Sequence, residues 1–196
     1  MKNIRPNNLC IGILRAPADT VKNALNHKLS LLNIQMKVDK DVIVNWEEFF
    51  EERGRSFDVL RAQYVITPLT SDTTIYTCNL SDGWLSLYSK LVEDNKINAG
   101  WFRRSFDNCG RFDLLQMSVW QLGEKVRDLK LIDSEDGLRF INRGPLLEFE
   151  DMQNYKRRRL RDRVNEDNLK VYSAKYGFDM NYITSCKIPS YLYHRV

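Results

Sequence analysis

Between residues 61 and 91 the pattern of apolar and polar positions changes period. Residues 63–69 and 73–79 are rich in β-branched and aromatic side chains, with Pro68, Ser71 and Asp72 supplying turn chemistry between them, which predicts a hairpin. Beyond Ser81, Asp82 and Gly83, the residues Trp84, Leu87, Tyr88 and Leu91 recur at i, i+3, i+4 and i+7. That spacing draws one apolar stripe along a helix over 83–93, with Ser81 as its cap and Trp84 buried.

The flanking segments follow the same two periods. Residues 9–14 form a nearly continuous apolar run, as in a strand buried on both faces. Pro17 and Asp19 suit the first turn of a helix near 17–30, and Val21, Ala24, Leu25 and Leu29 share one of its faces. Residues 32–38 alternate as a further strand. Asn45 caps a brief helix at 46–53, with Glu48 placed as in a capping box and Gly54 as its stop, so that Trp46, Phe49 and Phe50 face inward. Strands near 97–104, 112–121, 126–132 and 138–142 follow, joined through turn residues at 107–110, at Gly123 and at Asp136 and Gly137. Helical structure near 152–176 closes the reading, with Asn165 capping its second part and Gly177 ending it. Strands following strands at short spacing predict an α+β fold: one domain over 1–196, with a largely antiparallel sheet meander covered by helices.

Composition adds little chemistry. The chain has 196 residues, 43% of them hydrophobic and 29% charged, which is the balance of an ordered globular protein. No apolar stretch is long enough for a membrane helix and the first residues lack a signal-peptide core, so a cytosolic protein with no membrane partner is expected. Cys10, Cys78, Cys109 and Cys186 stand apart with no paired spacing, and His27 and His194 are the only histidines. A zinc site would need ligands gathered from the whole fold; none is expected, nor any other cofactor, and Cys10 and Cys78 read as buried small hydrophobes.

Charge patterning offers three candidate surfaces. Glu47, Glu48, Glu51 and Glu52 form an acidic helix face, which reads as solvated surface or as a patch for a basic partner. Arg103, Arg104 and Arg111 are interleaved with Trp101, Phe102, Phe106 and Phe112, a mixture used by single-strand binders and equally by any half-buried strand. Lys156, Arg157, Arg158, Arg159, Arg161 and Arg163 form a basic turn that suits phosphate, an anionic membrane or an acidic partner. Its bland reading is that Leu160, Val164 and Val171 anchor it while the arginines are solvated or pair with Glu148 and Glu150. The overall excess, 30 Lys and Arg against 26 Asp and Glu, is small for a phosphate binder.

The order of Arg15, Ala16 and Pro17 after the first strand, Trp46, Asp82 to Trp84 at a helix start, and the late Pro145, Leu146, Leu147, Glu148, Phe149 and Glu150 resembles that of bacterial α+β proteins, some of them like immunity proteins of toxin systems. The resemblance implies a non-enzymatic protein that neutralises a partner, such as a cognate toxin, by occluding it, and it carries no catalytic residue. In this reading Glu47, Glu48, Glu51 and Glu52 meet the partner. The alternative is a nucleic-acid-binding protein or nuclease using Arg103, Arg104, Arg157, Arg158 and Arg159, with Glu148 or Glu150 as a fragment of a metal-binding cluster.

Overall fold

The computed structural model describes residues 8–51, 62–80, 82–106 and 112–195. The expected turn at 107–110 with Cys109, the Ser81 cap, Glu52 and Gly54 lie outside the described residues, as do the side chains of Glu47, Phe50 and Glu51. The strands are β1 (Asn8–Leu14), β2 (Met36–Val42), β3 (Gln63–Pro68), β4 (Thr74–Cys78), β5 (Ala99–Phe106), β6 (Phe112–Gln121), β7 (Glu124–Ser134), β8 (Gly137–Arg143) and β9 (Ser190–Arg195). All pair antiparallel in one sheet, ordered β2-β9-β3-β4-β1-β5-β6-β7-β8. The expected α+β class holds, but the sheet dominates it; the helices are attachments to a nine-stranded body rather than its cover.

β1 lies in the middle of this order and is buried on both faces, as its apolar run requires. Leu9, Ile11 and Ile13 enter one core, while Cys10 and Leu14 enter the other. The second core lies under α1 (Ala18–Leu31) and α3 (Leu85–Asp94). Val21, Ala24, Leu25 and Leu29 of α1 are buried, as their spacing predicts. In α3 the buried stripe is Leu87, Tyr88, Leu91 and Val92. A Cβ on Gly12 would stand 2.1 Å from the Tyr88 ring, so glycine makes room for that ring, whose hydroxyl donates to the Gly100 carbonyl at 2.9 Å. Trp84 departs from its expected burial. It precedes α3 in the left-handed region at φ 52°, half-buried and stacked on Tyr64, with its N–H donating to the Asp82 carboxylate at 2.8 Å.

The first core packs against α2 (Trp46–Glu51), α6 (Glu166–Tyr176) and a 3-10 helix (Met180–Ser185). Trp46 Nε1 donates to the Cys186 carbonyl at 2.9 Å, tying α2 to this layer. The hairpin expected at 63–79 forms as β3 and β4, and its turn is held by Asp72, whose carboxyl is lowered by hydrogen bonds from the Thr70 and Thr73 hydroxyls. The strand expected at 32–38 begins four residues later, because Asn33 adopts φ 53° to turn the chain out of α1. The long helical reading of 152–176 breaks into α4 (Met152–Tyr155), α5 (Leu160–Arg163) and α6, since Val164 is extended and Asn165 caps α6 by accepting from the Asn168 N–H at 2.9 Å.

Candidate binding surface

The basic turn is held by a node that pattern reading misses. Arg127 lies on the same face of β7 as Leu129 and Leu131, which alternation turns into the core, and it is 1% exposed. Its Nε and second terminal nitrogen donate to the two carboxylate oxygens of Glu150 at 2.7 and 2.6 Å. The remaining nitrogen donates to the Asn142 side chain at 2.6 Å and to the carbonyls of Arg143 and Gly144 at 2.9 and 3.3 Å. Glu150 accepts two more bonds, from the Leu147 N–H at 3.1 Å and the Tyr155 hydroxyl at 2.5 Å. Burial first, and then this carboxylate, push the Tyr155 hydroxyl well above its ordinary pKa. Gly144, at φ 85°, makes the close approach possible: a Cβ there would stand 1.9 Å from the Val126 carbonyl oxygen.

Both charged side chains of the pair are fully buried, which is tolerable only because each finds a partner on every side. The node closes the loop after β8 onto the sheet and fixes where residues 144–155 run. Four accepted bonds engage both oxygens of Glu150 within the fold. Glu148 is exposed and stands apart from it.

From this anchored base the chain presents Lys156, Arg157, Arg158 and Arg159, all exposed. Arg163 Nε donates to the Arg157 carbonyl at 2.8 Å, and its guanidinium lies 5.5 Å from the centre of the Phe140 ring. Arg161 pairs with Asp133 of β7 at 2.9 Å. Those contacts hold the turn against the β7–β8 end of the sheet. The side chains of Arg158 and Arg159 make no hydrogen bond or ion pair among the described residues. The expected pairing of these arginines with Glu148 and Glu150 is absent there too, since Glu150 belongs to Arg127.

Arg103 and Arg104, expected to share a nucleic-acid surface, are separated by the strand itself. As neighbours in β5 they project to opposite faces. Arg104 goes inward, 4% exposed, and is held by Glu166 in the first turn of α6 and by Asn181, so it is a tie between layers rather than a phosphate contact. Arg103 lies half-buried on the other face, with its Nε enclosed and without a hydrogen-bond partner among the described residues. On the acidic helix, Glu48 is exposed and Asn45 caps it, accepting weakly from the Glu48 N–H at 3.4 Å.

Among the described residues no three His, Cys, Asp or Glu side chains stand close enough to hold a metal ion. Cys10, Cys78 and Cys186 are buried and form no disulfide among the described residues. His27 is exposed, and His194 lies 3.5 Å from Asp39. No described helix is long and apolar enough to cross a membrane. The signal for Arg127 was present in its register with Leu129 and Leu131, but its partner, 23 residues away in a turn, has no periodicity to announce it. Comparison with protein-family models, with characterised proteins and with solved structures returns no match.

Proposed function

We propose that this protein works by binding another protein, without chemistry of its own, and that residues 145–163 form its contact surface. The observation that carries the reading is the unspent charge of Arg158 and Arg159, with Lys156 and Arg157 beside them, on a segment pinned at its base by the Arg127 and Glu150 pair. A preorganised segment loses less freedom on binding, so exposed guanidiniums held this way are suited to recognition.

Exposed Leu146 and Met152, at 37% and 52%, flank the arginines. Arg and Met with exposed apolar side chains make the composition of a protein interface, and the charge selects a partner whose facing surface is acidic. Nucleic acid is the lesser reading, because the aromatic rings of this segment are engaged: Tyr155 is tied to Glu150, and Phe149 packs on Tyr172 and Tyr176. Occlusion of a toxin, as an immunity protein performs it, is the form of this function that the sequence resemblance favours. The acidic helix face at Glu47, Glu48, Glu51 and Glu52 becomes the second surface to test.

Cross-linking of the tagged protein in its host, followed by peptide mapping, is the test. Cross-links from a stoichiometric partner to 145–163 are expected. Cross-links confined to α2, or recovery of RNA whose binding weakens steeply with salt, would overturn the assignment.

A further inference from the structure

We infer that the outer edge of β8 is where the partner docks, by adding an extended acidic segment to the sheet as a tenth strand. The inference rests on the protein-binding reading and gives it a geometry. The two ends of the sheet are built differently. At one end β2 is a blunted edge. Its register with β9 shifts between Asp39 and Val42, Asp41 adopts φ 57°, and lysine and aspartate alternate along it, all devices that discourage a further strand.

At the other end β8 lacks the register shift, and its one left-handed residue among those described is Gly137 at the hairpin turn. Its register with β7 is unbroken from Gly137 to Arg143, and it holds no proline. Among the described residues its main chain bonds to no element other than β7, whose Ser134 and Arg127 side chains also donate to the Gly137 and Arg143 carbonyls at its two ends. An edge of this kind offers a row of N–H and C=O groups to an extended chain.

Charge states what that chain must carry. Arg139 and Arg143 project from one face of β8 and are exposed. On the opposite face lies Phe140, with Arg163 over its ring, and the contact of Arg161 with Asp133 brings the basic turn alongside. Cations therefore flank the edge above and below. A strand added here turns alternate side chains to the two faces, so Asp or Glu on either side finds arginine. Of the carboxylates along these faces, Asp128, opposite Arg143, pairs with Lys130 and Asp133 pairs with Arg161, while Glu135 and Asp136 at the hairpin turn favour acidic residues toward the Arg143 end. A second copy of this chain paired antiparallel about Ile141 would set Arg139 opposite Arg143, like charge against like, which an acidic segment avoids in every register.

The test uses a seven-residue synthetic peptide of alternating Val and Glu, matched to the length of β8, with a Val and Lys peptide as control. Amide chemical shifts and hydrogen exchange of the full-length protein are followed on titration. The acidic peptide is expected to perturb and protect alternate amides of β8, the lysine peptide to do neither, and Arg139→Glu with Arg143→Glu to weaken binding about tenfold or more, a 1.4 kcal/mol change or greater. Ile141→Pro, verified as folded, is the second variant and removes an edge N–H or its geometry. Perturbation confined to 156–163, with β8 unprotected, would overturn the docking geometry while leaving the protein-binding reading intact. Equal binding of both peptides, no binding of either, or a concentration-dependent dimer lost on Arg139→Glu would each overturn the strand-addition proposal.

Discussion

Arg127 and the arginines at 157–159 carry the same guanidinium, yet Arg127 is 1% exposed with every nitrogen hydrogen-bonded, while Arg158 and Arg159 stand in solvent without a side-chain partner among the described residues. The two arginines that this fold buries on the core face are surrounded: a bidentate carboxylate, an amide and two carbonyls for Arg127, a carboxylate and an amide for Arg104. Burying a charge without such partners would cost several kcal/mol, so these contacts are conditions of folding. The exposed arginines meet no such condition. Charges that the fold does not need, placed on a segment the fold holds still, are the ones available to a partner.

Breaking the buried side of this comparison has the largest expected effect. Glu150→Ala leaves the Arg127 guanidinium buried and unpaired, and a loss of about 3–5 kcal/mol is expected in chemical denaturation. A loss under about 1 kcal/mol would show that water or a rearranged loop replaces the carboxylate with ease. Tyr155→Phe removes one hydrogen bond to the same charged group and is expected to cost about 1.5–3 kcal/mol, with α4 showing faster amide exchange than the sheet. Unchanged exchange in α4 would mean that the hydroxyl does not hold the segment.

The pH dependence sharpens the contrast between buried and exposed groups. Burial pushes the hydroxyls of Tyr176 and Tyr193 up to about 12 from an ordinary 10.0. The folded state thus holds these protons more tightly than the unfolded chain does. Their contribution is fully present below pH 10 and is lost as pH rises through 12, so stability is expected to fall across that window, with their phenolate absorbance appearing late. Ionisation of every tyrosine near pH 10 without loss of structure would contradict the packing of both rings.

The sheet was legible wherever one period ran without interruption. In β1 the apolar run at 9–14 announced a strand covered on both sides, and in α1 the four predicted inward residues are the four buried ones. Reading failed where one residue changed direction: Asn33 delayed β2, and extended Val164 broke the helix expected at 152–176. β9 was missed although Tyr191 and Tyr193 alternate with Leu192, because the strand is short and its neighbours β2 and β3 are remote in sequence. The basic turn was visible as composition. Its anchor was not, since a carboxylate in a turn gives no periodic sign of which arginine it will meet. The separation of Arg103 from Arg104, by contrast, follows from their adjacency in a strand.

Exchanging Arg157, Arg158 and Arg159 for glutamate together measures stability and recognition on one variant, beside Glu150→Ala. A denaturation midpoint close to that of the parent chain is expected, each exposed site shifting stability by no more than about 0.5 kcal/mol, with the stoichiometric partner lost. A variant destabilised as deeply as Glu150→Ala, or one that still recovers the partner in full, would contradict the division between charges that build this fold and charges that it presents.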